Sequence, residues 1–145
     1  MSDTTPGPAD VYRAYIAAEA AGDKGAMAAL LAPGINIEMN GRPAFESAAE
    51  DAAAVTVLFD AYPDYRRELI EIIEQGDVAA ARWHMVGTPR AEFADRLGEL
   101  DIAGCSIVKV RDGRMVDAYV WSPDGVLEEI VAMVTADAAQ KGAPR

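Results

Sequence analysis

The chain has 145 residues, of which 51% are hydrophobic, and a formal net charge of −11 at pH 7. A chain of this length fits one domain with an enclosed core. The acidic balance, with no basic cluster longer than the pair of arginines in "YRRE", argues against binding to nucleic acid or to an anionic membrane surface.

The cysteine content and the two termini indicate the cellular compartment and the limits of the domain. Cys105, the single cysteine, excludes an internal disulfide, and its apolar neighbours favour a buried structural thiol. The sequence carries no Cys/His cluster with metal-ligand spacing, so we expect no metal site. Residues 1–8 have neither a signal peptide pattern nor an apolar run, which predicts a disordered leader of a cytoplasmic protein. We expect one domain over 9–140 and a frayed tail over 141–145.

The chain opens with two predicted helices. Residues 9–21 carry apolar side chains at helical spacing, and Gly22-Asp23 is a typical helix end. Residues 24–32 predict a second, short helix that stops at Pro33-Gly34.

A strand and a third helix follow. Residues 35–39 alternate apolar and polar side chains, which predicts a strand, and Asn40-Gly41 is a turn signal. Residues 44–62 then predict a helix whose polar start is Ser47 or a neighbour, and Pro63-Asp64 ends it.

The second half predicts strands in two hairpins and then a helix. Gly76-Asp77 joins the first pair of strands and Asp112-Gly113 joins the second. Residues 123–140 predict a final helix. Helices followed by a meander of strands predict an α+β fold rather than an alternating α/β fold. No glycine-rich phosphate-binding pattern follows a strand, so the sequence does not support a nucleotide site.

Three short motifs carry a family resemblance. The Pro-Asp of "YPDYR", the Gly-Asp turn and the turn Asp112-Gly113-Arg114-Met115 resemble those of SnoaL-like polyketide cyclases, in the nuclear-transport-factor-2-like superfamily. Ketosteroid isomerase and limonene epoxide hydrolase belong to related families of that superfamily. The resemblance runs from about Val11 to Leu127. It implies a cone-shaped α+β barrel, in which a curved antiparallel sheet wraps around the N-terminal helices and leaves a deep apolar pocket. It also implies catalysis without a cofactor, and a homodimer.

The family's usual catalytic acid is absent from this sequence. The cyclases use an aspartate seven positions after the turn glycine, which is Val120 here, followed by Trp121. A valine transfers no proton, so the standard cyclase mechanism is in doubt. A shifted register would offer Asp117, although a slip of one residue also exchanges the two faces of a strand. The base of ketosteroid isomerase aligns with Met39, next to Glu38, which is a second alternative acid if a bulge turns it inward.

Arg82 and His84 occupy the Arg-x-Asp position of the epoxide hydrolases, with histidine in place of the acid. If they line the cone, His84 is its general acid/base and Arg82 stabilises a developing oxyanion. The strand pattern favours the opposite arrangement, in which Trp83 and its apolar neighbours form the core face and Arg82 and His84 face solvent. Both arrangements remain open. Tyr15 matches an aromatic pocket position of some cyclases and would orient the substrate.

Eight further residues are candidates for the pocket wall. Ser106 aligns with a histidine of a second cyclase pattern, and it and Gly104 are small enough to widen the pocket. The full set is Ile37, Met39, Phe59, Tyr62, Gly104, Ser106, Val120 and Trp121.

The resemblance therefore implies a cyclase or isomerase that acts on an apolar, carbonyl-bearing, polyketide-like molecule. The rate would come from His84 and Arg82 or from holding a reactive substrate in a folded conformer. A non-catalytic binding or assembly module of the same fold is the alternative, and ring opening as in the epoxide hydrolases is a third.

Overall fold

The computed structural model describes residues 5–123 together with residues 125, 127, 129, 130 and 132. Three helices precede most of the strands, and the α+β class is confirmed. The helices and strands are α1 (Pro8–Ala21), α2 (Lys24–Ala29), β1 (Leu31–Met39), β2 (Arg42–Phe45), α3 (Ala48–Ala61), β3 (Arg66–Gln75), β4 (Val78–Gly87), β5 (Leu100–Arg111) and β6 (Arg114–Trp121), with a 3-10 turn at Ala91–Phe93.

Local capping explains where the helices begin and end. Gly22 ends α1 with φ 66°, a left-handed conformation that glycine adopts without steric cost. The Asp23 side chain accepts the backbone N–H of Ala26 at the start of α2, and Ser47 accepts that of Glu50 at the start of α3. The expected polar start at Ser47 is therefore confirmed.

The strands form one six-stranded sheet in the order β2-β1-β6-β5-β4-β3. Four neighbouring pairs are antiparallel, whereas β1 and β6 run parallel. The sheet is therefore mixed rather than wholly antiparallel, and it is not a closed barrel because β2 and β3 are its edges. Both expected hairpins, β3–β4 and β5–β6, are confirmed.

Several element boundaries differ from the sequence prediction. β1 begins at Leu31, before Pro33-Gly34, because it pairs there with Met115 of β6, whose backbone N–H bonds the Leu30 carbonyl. β2 was not predicted, since a four-residue edge strand is too short for a clear alternation. Pro8, assigned to the leader, is the first residue of α1. Of the predicted final helix, Leu127, Glu129, Ile130 and Ala132 are helical, whereas Pro123 and Gly125 form a bend and a turn; the other residues of that prediction lie outside the described residues.

The inner face of the sheet packs against the helices and forms the core. Trp83 and Met85 of β4 are fully buried on this face, and so is Val108 of β5. A register shift in β6 brings both Met115 and Ala118 to the inner face, although they are three positions apart.

The outer face of the sheet meets solvent. Ile73, Ile107 and Trp121 are among its exposed side chains. Cys105 is exposed as well, so the predicted buried thiol is wrong: the strand turns Gly104 and Ser106 inward and Cys105 outward. Among the described residues, no helix is long and apolar enough to cross a membrane.

Candidate functional site

A cavity of about 1050 Å³ lies between the inner face of the sheet and helices α1 and α3. Its wall is mostly apolar, and the exposed residues Arg42, Pro43 and Glu50 lie where it meets solvent. The polar side chains in its wall are few: Tyr12, Tyr15, Glu19, Arg42, Glu50, Asp51, Arg67 and Ser106, with the indole of Trp83. An apolar cavity with a few convergent polar groups is typical of a small-molecule site.

A tyrosine and a carboxylate meet in this wall. The Tyr15 hydroxyl on α1 donates a hydrogen bond of 2.5 Å to Oδ2 of Asp51 on α3. Burial raises the pKa of Asp51, while the hydrogen bond from Tyr15 and the charge of Arg67 oppose that rise. Burial, followed by the nearby charge of Asp51, raises the pKa of Tyr15 well above its ordinary value. Tyr15 is therefore a neutral donor near pH 7, and Asp51 is a carboxylate with an increased affinity for a proton.

A second carboxylate lies deeper, paired with an arginine. Nη2 of Arg67 on β3 lies 3.3 Å from Oε2 of Glu19 on α1, and the Glu19 side chain is 1% exposed. The Tyr65 hydroxyl donates to Oε1 of Glu19 at 3.1 Å. Burial raises the pKa of Glu19, although Arg67 and Tyr65 stabilise its ionised form.

The Arg67 guanidinium is held against an aromatic ring. Its central carbon lies 4.7 Å from the centroid of the Trp83 ring, a cation–π arrangement. Burial lowers the pKa of Arg67, but the charge of Glu19 and the interactions with Tyr65, Tyr12 and Tyr15 together outweigh that effect, and the pKa is raised. Arg67 is therefore a permanent, largely buried cation in the cavity wall.

Two hydroxyls complete the polar floor. The Tyr12 hydroxyl bonds Oγ of Ser106 at 3.2 Å and accepts a hydrogen bond from Nη1 of Arg67 at 3.4 Å. Nε1 of Trp83 donates to the same Oγ of Ser106 at 2.9 Å. These contacts link α1, β3, β4 and β5 in one network, which we call the floor network: Tyr12, Glu19, Tyr65, Arg67, Trp83 and Ser106.

Several residues predicted from the sequence line the cavity. Tyr15 is one of them, and the others are Ile37, Met39, Ser106 and Val120. Val120 pairs with Met39 on one side and Ser106 on the other, so all three face inward. Val120, which the resemblance aligns with the aspartate of the cyclases, thus faces the cavity.

Four of the predicted wall residues lie elsewhere. Phe59 packs edge-on against Tyr65, and Tyr62 donates to the Gly98 carbonyl and packs against Gly87. Gly104 lies beneath the Trp83 ring, whereas Trp121 is exposed on the outer face and stacks on Tyr119.

Arg82 and His84 lie on the outer face of the sheet, so of the two arrangements that the sequence left open the solvent-facing one is found, and the catalytic roles assigned to them in the cavity are wrong. Nε of Arg82 bonds Oε1 of Glu71 at 3.1 Å, and 62% of the Arg82 side chain is exposed. His84 contacts Asp101 in a shallow surface groove. The alternation along β4 decides this, because Ala81, Trp83 and Met85 fill the inner face.

The two alternative acids also lie outside the cavity wall. Glu38 accepts a hydrogen bond from Asn36 two positions earlier on the same strand. Asp117 pairs in register with Lys109 and Asn36. The register shift in β6 turns Ala118 toward the cavity and leaves Asp117 facing away from the cavity.

Sequence reasoning missed Glu19, Asp51 and Arg67, although two of them follow a readable pattern. Glu19 lies four positions after Tyr15, on the apolar face of α1. Asp51 lies four positions before Val55, which is buried on α3. A charge on the buried stripe of an amphipathic helix was the available signal. The described residues contain no group of three or more His, Cys, Asp or Glu that could hold a metal ion.

The structure is an α+β fold in which an open, mixed six-stranded sheet and its helices surround an apolar cavity. The model of the SnoaL-like domain family matches residues 12–118, and the chain belongs to that family. A search of the curated proteins finds no match.

Solved structures share the fold at low sequence identity. IdmH from Streptomyces antibioticus, a proposed polyketide cyclase, is 21% identical over 86% of this chain and 98% of its own, with a TM-score of 0.71. A proposed polyketide cyclase from Sinorhizobium meliloti is 20% identical over 77% of this chain and 93% of its own, with a TM-score of 0.62. AclR from Streptomyces galilaeus, a proposed hydroxylase, is 17% identical over 85% of this chain and 93% of its own, with a TM-score of 0.68. At these identities the likeness establishes the fold.

Proposed function

We propose that this protein is a cyclase or isomerase of an apolar, carbonyl-bearing, polyketide-like molecule, with Asp51 as its general base. The 2.5 Å contact between Tyr15 and Asp51 in the cavity wall carries the proposal. A carboxylate whose proton affinity is increased by burial is suited to proton transfer near neutral pH. The SnoaL-like family and the names of two of its structural neighbours support this reaction class.

The chemistry begins with a proton on a carbon next to a carbonyl. Asp51 takes that proton, the C–H bond breaks, and its electron pair forms an enolate. The enolate carbon then attacks a second carbonyl carbon of the same molecule, which closes the ring, and the resulting alkoxide oxygen takes the proton from Asp51. Tyr15, a neutral donor, orients Asp51 in this cycle. For an isomerisation, Asp51 returns the proton to a different carbon.

The shape of the cavity favours the substrate class. A volume of about 1050 Å³ is at the upper end of small-molecule sites, which suits a body of several rings or a folded chain. The apolar wall, with Ile37, Met39 and Val120 on the sheet side, favours a body with few charges. Confinement of such a chain near its folded conformer would add to the rate through proximity.

A model substrate whose enolisation and ring closure can both be followed directly tests the proposal. The probe is an apolar aryl ketone that bears a second ketone in position to close a six-membered ring. Ring closure is followed by chromatography, and loss of the α-hydrogen in D₂O by proton NMR. Wild-type protein is expected to accelerate both, and Asp51→Asn to reduce both by about 10²–10⁴-fold, as loss of a positioned base does.

Asp60→Asn is the matched control, because Asp60 is an exposed carboxylate on the same helix. It is expected to retain wild-type rates. Equal exchange and ring closure in wild type and in Asp51→Asn would overturn the proposal. If neither protein accelerates hydrogen exchange or ring closure while apolar ketones raise the melting temperature, the protein is a non-catalytic binding module rather than an enzyme.

The homodimer expected from the family also stays a proposal. The exposed apolar side chains of the outer face, Ile107 and Trp121 among them, are consistent with a second copy packed there. Sedimentation of wild type and of Ile107→Glu tests it: a dimer that dissociates in the variant supports it, and a monomeric wild type overturns it.

A further inference from the structure

The floor network contains hydrogen-bond donors that have no acceptor among the described residues. A guanidinium has five N–H donors. Nε of Arg67 donates to the Tyr65 hydroxyl, and Nη2 donates to both Glu19 and the Tyr65 hydroxyl. Nη1 also carries two N–H donors, but among the described residues it has one acceptor, the Tyr12 hydroxyl. One N–H of this cation, whose side chain is 13% exposed, is therefore left over.

The hydroxyl groups of Tyr12 and Ser106, beside Arg67, supply a second donor that has no acceptor. Trp83 donates to Ser106, and Arg67 donates to Tyr12, so each hydroxyl oxygen already accepts one bond from a pure donor. The bond between Tyr12 and Ser106 uses one of their two hydroxyl hydrogens. The other hydrogen has no acceptor within the described part of the chain. Since Ser106 is 2% exposed, this donor too is buried.

Donors held away from water need an acceptor, because a polar group left without a partner there destabilises the fold. Tyr12, Arg67 and Ser106 all line the cavity, so an oxygen of a bound molecule can reach this corner. We propose that Arg67, Tyr12 and Ser106 form an oxyanion site that receives the carbonyl oxygen of the substrate and stabilises it as an enolate. This inference rests on the proposed function and names the group of the substrate that the floor binds.

The site lies beside the proposed base. Tyr12 and Tyr15 are one turn apart on α1, and their rings stack with centroids 6.4 Å apart. One hydroxyl therefore reaches the floor network while the other reaches Asp51. An enolising substrate needs this arrangement, with a base at the carbon and donors at the adjacent oxygen.

A phenol tests the oxyanion site without turnover. 4-Nitro-1-naphthol is an apolar two-ring phenol whose absorption spectrum distinguishes its neutral and ionised forms. Bound to wild type, it is expected to ionise about tenfold more readily than when bound to the double variant Glu19→Gln/Arg67→Met, a difference of about one unit in its pKa. The double variant leaves neither partner of the ion pair buried alone and keeps the net charge of the floor unchanged. The titratable and charged groups that face Arg67 are Tyr12, Tyr15, Glu19, Asp51 and Tyr65.

Two further variants sharpen the test. Arg82→Met changes an arginine on the outer face and is expected to leave the titration as in wild type. Tyr12→Phe removes the hydroxyl and is expected to lose part of the shift, since it leaves the Arg67 cation in place. A bound naphthol that titrates alike in wild type and in the double variant overturns the inference, as does a wild type that binds the neutral form alone.

The titration is repeated in Asp51→Asn. Because it reads an equilibrium, the difference that depends on Arg67 is expected to persist without the base. Persistence of that difference, with unchanged turnover in Asp51→Asn, would retain the oxyanion site and overturn the proposed base. The reverse pattern would retain the base and overturn the oxyanion site.

Discussion

The Tyr15 hydroxyl reaches Asp51 across 2.5 Å, which joins the middle of α1 to the first turn of α3. The two residues are 36 positions apart in the chain and meet in the cavity wall. This contact gives an apolar cavity an acid/base group with a fixed orientation. The predictions below follow from it and from the floor network.

Tyr15→Phe is expected to move the rate profile to higher pH. A base acts as its ionised form, so turnover rises with pH through the pKa of Asp51, which burial places above its ordinary value. The hydrogen bond from Tyr15 lowers that pKa, and its loss raises it further. A hydrogen bond to a charged group is worth about 1.5–3 kcal/mol, which corresponds to about one to two pH units. The measurement is kcat/KM against pH for both proteins. An unmoved profile would argue against Asp51 as the titrating group.

Asp51→Asn is expected to have a more favourable effect on the free energy of unfolding at neutral pH than in acid. A raised pKa in the folded state means that the folded protein binds the proton more tightly than the unfolded chain does. Wild-type stability therefore falls as pH rises from the ordinary carboxyl pKa through the raised one. Asparagine does not titrate, so the gain in the free energy of unfolding grows over that window. Urea unfolding of both proteins at several pH values measures it, and a constant difference would contradict the burial effect.

The Glu19–Arg67 pair is expected to be strongly coupled. Arg67→Met alone leaves a carboxylate buried without its cation, which costs about 3–5 kcal/mol. The double variant Glu19→Gln/Arg67→Met removes both charges and is expected to lose far less. A double-mutant cycle from urea unfolding gives the coupling. Additive effects would show that the two charges act independently.

Gly104→Ala is expected to destabilise the fold by about 1–3 kcal/mol, as overpacking does. A Cβ at this position would lie 2.4 Å from Cη2 of Trp83 and 2.5 Å from the Trp121 carbonyl oxygen. Gly98→Ala is the control, because its Cβ would meet nothing within 4 Å. Thermal melts compare the two. Equal melting temperatures would mean that the Trp83 ring shifts aside without cost.

Arg82→Ala and His84→Ala are expected to leave turnover within about twofold of wild type. Both side chains lie on the outer face, in contact with Glu71 and Asp101 respectively. Exposed polar contacts of this kind contribute about 0–1 kcal/mol, so little stability is expected to be lost either. The ketone assay and a thermal melt check both points. A large loss of turnover in either variant would restore the outer-face pair as part of the site.

The sequence by itself determined the α+β class, the three N-terminal helices, both hairpins and the family. These features depend on local signals: helical spacing, the caps at Gly22 and Ser47, and glycine-containing turns. The family resemblance also named Val120 as a wall residue, and Val120 does line the cavity, although the register shift in β6 leaves no local pattern that would predict its face. The parallel pairing of β1 and β6 needed the tertiary structure, since pairing between strands far apart in the chain leaves no local pattern.

Only the tertiary structure decided which polar groups make the site. Period-2 alternation assigns residues to two faces, but which face is wet depends on what packs against the sheet, and α1 covers the face that holds Trp83. Arg82 and His84 were thereby excluded from the cavity. Glu19, Asp51 and Arg67 come from three different elements, and their buried charges persist only because folding brings each one a partner. That partnership is a property of long-range packing.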